Sequence, residues 1–122
     1  AVAHLTKSMG CGAGIMLTAS HNPYEDNGLK IFGPDGYKLS DELEAAVERE
    51  ILSEGKPMAV SPDKIGKAYR IDDARGRYIE YAKQSLGPTD LSGLKLVVDC
   101  GHGAAYLLAP LIFKDLEADF FF

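Results

Sequence analysis

At 122 residues the chain has the length of one compact domain, or of parts of two larger ones. Hydrophobic residues at 46% and charged residues at 25% are globular proportions and exclude a disordered chain. Thirteen Lys and Arg against eighteen Asp and Glu leave a net charge of −5, which disfavours a dedicated nucleic-acid binder, and no apolar run approaches the ~20 residues of a membrane-spanning helix.

Cys11 and Cys100 lie far apart without metal-like spacing and read as reduced thiols of a cytoplasmic protein. The chain opens on Ala1-Val2-Ala3 and closes on three phenylalanines, which reads as an excerpt of a longer protein.

Val2, Leu5 and Met9 have helical spacing. Ala13 to Leu17 is a short apolar run that predicts a buried strand, and the cluster Thr18 to Asn27, rich in turn formers, predicts a loop. Leu29 to Phe32 predicts a second short strand, and Gly33-Pro34-Asp35-Gly36 a tight turn.

A helix then starts at the N-cap Ser40, with Asp41, Glu42 and Glu44 on the positive end of its dipole and Gly55 and Pro57 beyond its end. Its stripe of Leu43, Ala46, Val47 and Ile51 predicts packing against a sheet. Burial of the three large residues would contribute about 1.5–3 kcal/mol each.

Glu54 to Lys67 reads as a connector. Asp72 or Asp73 caps the next predicted helix, which runs to Leu86 with Tyr78, Tyr81, Ala82 and Leu86 on one face and Gly87-Pro88 as its stop. Leu94 to Asp99 then predicts a strand, Gly101-His102-Gly103 a turn, and Ala104 to Leu116 a helix interrupted near Pro110. Phe120 to Phe122 would be the next strand. Strand, turn, helix and strand make a βαβ unit, which implies a parallel pair and places a domain boundary near Gly87 to Ser92.

The fold class is therefore α/β: a partial mixed-sheet, three-layer domain over residues 1–87, then the opening βαβ unit of a second, similar domain over 88–122.

The loop Thr18-Ala19-Ser20-His21-Asn22-Pro23 carries the chemistry. It offers a serine hydroxyl at the C-terminal end of a strand, where α/β sheets place their sites, flanked by an imidazole and an amide and stiffened by proline. Lys30, in the returning strand, could bring an ammonium back to the same place. A serine that handles transferring oxygens needs such groups.

The same residues also fit a plain Ser/Asn turn in a non-catalytic binding module. A serine hydrolase is disfavoured, because no G-x-S-x-G elbow or completed triad is present. Gly101-x-Gly103 fails as a dinucleotide fingerprint because its third glycine position holds Tyr106. His102 reads as a turn residue, Cys100 as a small core residue, and His4 as a surface or packing histidine.

The stretch T-A-S-H-N-P-Y-E-D-N-G-L-K-I-F-G-P-D-G-Y-K-L, Thr18 to Leu39, resembles the phosphoserine loop of the α-D-phosphohexomutase superfamily, and within it most closely the bacterial phosphoglucosamine mutases. The stretch D-C-G-H-G-A-A, Asp99 to Ala105, resembles the start of the second domain of the same superfamily.

The resemblance implies that Ser20 carries a transferable phosphate and that His21 assists proton transfer or orients the sugar phosphate. It makes Lys30 a general acid/base or charge stabiliser, while Asn22 orders the loop. It further implies a phosphotransferase-type isomerase acting on a hexosamine phosphate through a bisphosphate intermediate, with glucose or mannose phosphates as the alternative substrates. The product would feed amino-sugar and peptidoglycan precursors.

Mg²⁺ is implied as cofactor, held between the Ser20 phosphate and three aspartates of a D-G-D loop in the second domain. No such run occurs in this sequence, so only Ser20 would contribute, through its phosphate. The sugar-reading and final phosphate-binding domains of the superfamily are absent as well, so the chain alone is expected to be inactive.

Overall fold

The computed structural model describes residues 1–53, 55 and 59–122, which form two compact units, 1–70 and 71–122.

In the first unit, helix α1 (Val2–Ser8) precedes strand β1 (Gly14–Thr18), which pairs antiparallel with β2 (Gly28–Phe32). The register runs from Gly14 opposite Phe32 to Thr18 opposite Gly28; β1 is shifted one residue on from its predicted span, and β2 starts one residue before its own. Alternation in β1 gives one half-covered face, Gly14, Met16 and Thr18, while Ile15 and Leu17 stay exposed. The strand is thus covered on one side only and is not fully buried as predicted.

The cover at the Gly14 end comes from α1. The hydroxyl of Thr6 occupies the space a Cβ on Gly14 would need. Thr6 is itself only 4% exposed, and its Oγ1 donates to the Val2 carbonyl at 2.9 Å, so the buried hydroxyl is satisfied.

The predicted turn after β2 forms. The Gly36 N–H donates to the Gly33 carbonyl at 2.9 Å, and Asp35 Oδ1 accepts from the Tyr37 N–H at 3.0 Å. Gly36 has φ +82°, and a Cβ there would stand 2.8 Å from the Ala3 carbonyl oxygen, so glycine is required both by the turn and by the approach of α1.

Helix α2 (Asp41–Leu52) begins where its signals place it, with Ser40 Oγ accepting from the Leu43 N–H at 3.4 Å. Glu44 pairs with Lys38 at 2.9 Å and ties the turn to the first helical turn. The predicted burial of its stripe does not occur: Leu43, Val47 and Ile51 are 55%, 36% and 72% exposed. The hairpin has two strands and α1 already lies against one of its faces. The transfer free energy expected from these three residues is therefore not gained among the described residues. Pro57, read as a stop signal, lies outside them.

In the second unit, helix α3 (Ala74–Gln84) packs on α4 (Ala109–Asp115), which itself lies against β4 (Asp119–Phe121). Strand β3 (Lys95–Val97) pairs parallel with β4, Lys95 opposite Asp119 and Val97 opposite Phe121, so the predicted βαβ crossover is present. The pairing is shorter than the apolar run predicted, though the Val98 N–H still reaches the Phe121 carbonyl at 2.9 Å.

Three details of this unit differ from expectation. Asp73 occupies the N-cap position of α3 without capping it, because Arg77 takes its carboxylate at 2.7 Å. The buried residue of α3 is Ile79, 8% exposed and flanked by the half-buried Tyr78 and Ala82, whereas Tyr81 and Leu86 of the predicted stripe are exposed. The helix over Ala104 to Leu116 is interrupted near Pro110 as read, but its first part is a 3₁₀ turn, Ala104–Leu107, and the proline sits in the first turn of α4, where its missing N–H costs nothing.

Lys83 locks α3 to α4, bridging Glu80 on its own helix at 3.0 Å and Asp115 at 3.1 Å. No described helix is long and apolar enough to cross a membrane.

Candidate functional site

The loop between β1 and β2 folds as a tight turn followed by a single 3₁₀ turn. The Asn22 N–H donates to the Ala19 carbonyl at 3.0 Å, closing a β-turn whose central residues are Ser20 and His21. Ser20 is left-handed, φ +58°, in a position that glycine occupies without strain. Pro23 then starts the 3₁₀ turn Tyr24–Asp26.

Ser20 is exposed and shares its positive φ with His102 and Glu117 among the described non-glycine residues. Ser20 Oγ lies 3.4 Å from His21 Nδ1, the tautomer of the ring deciding which of the two donates. Thr18 Oγ1 accepts from the Ser20 N–H at 2.9 Å. Thr18 was missed in the sequence, although a hydroxyl two residues before a turn residue is the pattern of a local side-chain-to-backbone bond.

Lys30 stands opposite Met16 in the register, hence on the face shared by Thr18 and Gly28 at the mouth of the hairpin. Its side chain is exposed and makes no ion pair or hydrogen bond among the described residues. The structure therefore brings Ser20 Oγ and His21 Nδ1 within 3.4 Å of each other, and sets Lys30 on the strand face of Thr18, two residues along β2 from Gly28. Asn22 contributes its backbone to the turn.

Among the described residues no group of three or more His, Cys, Asp or Glu could hold a metal ion. The loop's own carboxylates, Glu25 and Asp26, belong to the 3₁₀ turn. These residues do not by themselves make a Mg²⁺ site.

The second unit has its own open cleft of about 530 Å³ beyond the end of β3, lined by Val98, Asp99, Cys100, His102, Tyr106 and Phe122 among others. Asp99 Oδ1 accepts from the Gly101 N–H at 2.8 Å, and Gly101 and His102 are both left-handed at φ 54°. His102 is thus a turn residue as read. Cys100 is half-buried at the cleft wall and is not a core residue.

Residues 1–58 match the family described as phosphoglucomutase/phosphomannomutase, alpha/beta/alpha domain I. Over these residues, just under half of its length, the chain is similar to domain I of the phosphoglucomutase/phosphomannomutase family. The matched stretch holds α1, the hairpin, the Ser20 loop and α2.

Among curated proteins, the chain is 57% identical over 120 residues to a phosphoglucosamine mutase of Sphingopyxis alaskensis, covering 98% of the chain and 27% of that protein. It is 54% identical over 121 residues to one of Magnetococcus marinus (98% and 25%) and 52% identical over 120 residues to one of Halorhodospira halophila (98% and 26%). The chain spans about a quarter of the length of these curated relatives.

Proposed function

We propose that the chain is the phosphoserine-loop portion of a phosphoglucosamine mutase, with Ser20 as the phosphoryl carrier. The observation that carries this is the left-handed, exposed Ser20, with His21 Nδ1 3.4 Å from its Oγ and Lys30 on the adjoining strand face. The names of the relatives supply the substrate.

In this reading the phosphoryl group passes from Ser20 Oγ to a hydroxyl of the sugar phosphate: the P–Oγ bond breaks, a P–O bond to the sugar forms, and the hydroxyl proton leaves to a base. The bisphosphate turns over. Its other phosphate then returns to Ser20 Oγ, so that glucosamine 6-phosphate and glucosamine 1-phosphate interconvert.

His21, with Nδ1 3.4 Å from Oγ, would take or return the proton on Oγ. Lys30 balances the charge of about −1.5 to −2 that a phosphoserine adds, or serves as the acid/base at the sugar oxygen.

We further assign residues 1–87 to the later part of a first domain and 88–122 to the start of a second; the βαβ crossover supports the second, whereas the packing of α3 on α4 joins residues 74–84 to it in the compact unit 71–122. A Mg²⁺ ion would meet this chain only at the Ser20 phosphate. The two free cysteines support a cytoplasmic setting. The family description favours one second reading, a phosphomannomutase or phosphoglucomutase using the same loop.

Intact-mass spectrometry with site mapping tests the proposal, after incubating the full-length protein with glucosamine 1,6-bisphosphate and Mg²⁺. One phosphate on Ser20 is expected, and none in Ser20→Ala. A folded protein without it would return the loop to a plain turn. Turnover of glucosamine, glucose and mannose phosphates separates the two mutase readings.

A further inference from the structure

Ser20 adopts a backbone conformation that a side chain disfavours, so something must hold it there. Two hydrogen bonds do so. One, from the Asn22 N–H to the Ala19 carbonyl, closes the turn across its ends. The other, from the Ser20 N–H to Thr18 Oγ1 at 2.9 Å, grips the serine itself.

Thr18 is the last residue of β1, paired with Gly28, and shares the strand face of Met16 and Lys30. One hydroxyl thus ties the turn to the strand end whose register also sets Lys30.

We infer that Thr18 is a positioning residue. Its hydroxyl fixes the left-handed backbone of Ser20 and thereby aims Oγ at His21 and at the incoming phosphoryl group. The inference rests on the reading of Ser20 as phosphoryl carrier. Thr18 acts through Ser20 and touches no substrate. The Ser20 N–H is already engaged, so a phosphate on Ser20 draws its charge balance from His21, Lys30 and other donors, and not from the serine's own amide.

The test uses Thr18→Val, which keeps the β-branch and volume at the strand end but loses the hydroxyl, and Thr18→Ser, which keeps the hydroxyl. In the full-length protein, Thr18→Val is expected to lower kcat roughly three- to tenfold with KM little changed, the size of one lost neutral hydrogen bond. It should slow phosphorylation of Ser20 by glucosamine 1,6-bisphosphate by the same factor and speed hydrogen exchange of the Ser20 amide. Thr18→Ser is expected to restore all three.

Wild-type protein that never phosphorylates Ser20 would overturn the phosphoserine reading itself. Wild-type phosphorylation with Thr18→Val equally fast and the Ser20 amide equally protected would overturn the role of Thr18 alone. So would a Thr18→Ser variant as impaired as Thr18→Val. If Thr18→Val does not fold, Thr18→Ala replaces it against the same rescue.

Discussion

Lys30 lies directly across the hairpin from Met16, and this pairing decides which side of the sheet its ammonium can serve. A slip of one residue would turn it to the face of Ile15 and Leu17, away from Thr18. The Thr18–Gly28 pair, where the strands part into the loop, therefore helps set the position of the lysine as well as that of the serine.

Lys30→Met is accordingly expected to leave stability within about 0.5 kcal/mol, because the side chain is exposed and unpaired among the described residues. In the proposed mutase it should lower kcat by about 10²-fold or more. Steady-state kinetics beside a urea titration check both halves. Unchanged kcat would remove Lys30 from the chemistry.

Ser20→Ala and Ser20→Gly should both abolish phosphorylation but differ in stability. Alanine inherits the left-handed strain, whereas glycine relieves it by about 1 kcal/mol, partly offset by the greater freedom it gives the unfolded chain. The unfolding midpoint of Ser20→Gly should be at or above that of Ser20→Ala. The reverse order would mean that the turn does not hold residue 20 at positive φ.

Local signals in the sequence were the most legible. Ser40, with its acidic first turn, announced α2, and Gly33-Pro34-Asp35-Gly36 announced the turn, because both are decided by hydrogen bonds within a few residues. The βαβ order was also readable from strand, glycine turn and helix in succession. Burial was less legible. The stripe of Leu43, Val47 and Ile51 marks a face that could pack but does not say what would cover it, and the inward face of α3 centres on Ile79, outside the predicted stripe. At the candidate site, the resemblance of the loop singled out Ser20, His21 and Lys30, and the proposed function rests on them. Thr18 was not, because its part is played through a backbone amide and shows only in the turn's geometry.

Gly14 and Gly36 both make room for α1, one for Thr6 and one for the Ala3 carbonyl. Gly14→Ala should cost about 1–3 kcal/mol by overpacking. Gly36→Ala should cost at least about 1–2 kcal/mol from its positive φ, with the clash in addition. Urea midpoints read both, and Gly14→Ala paired with Thr6→Ala should recover part of the loss. No recovery would mean that Thr6 is not the neighbour that excludes a side chain.

Asp73 is held below the usual carboxylate range, first by the hydrogen bond from Arg77 and then by its charge. A depressed carboxyl lends stability that is present above its ordinary pKa of about 3.9 and is lost as pH falls through the lower folded value. Acidification should therefore fray the start of α3, seen as lost helicity by far-UV circular dichroism, and Asp73→Asn should remove that part of the acid response. Lys83 is raised, by Glu80 first and then Asp115, so its share has the opposite sign and fades only as strongly alkaline pH deprotonates it. The exposed Asp73–Arg77 pair makes the acid effect small and salt-sensitive.

The hand of the backbone at position 20 has an evolutionary corollary. A serine there runs against the conformational preference of this backbone for glycine or asparagine. If Ser20 is the phosphoryl carrier proposed above, a duplicated copy released from that chemistry should drift towards those two residues at this position early, while the helix cap and the proline turn endure. A silent descendant could then be recognised by one substitution, before its fold had changed at all.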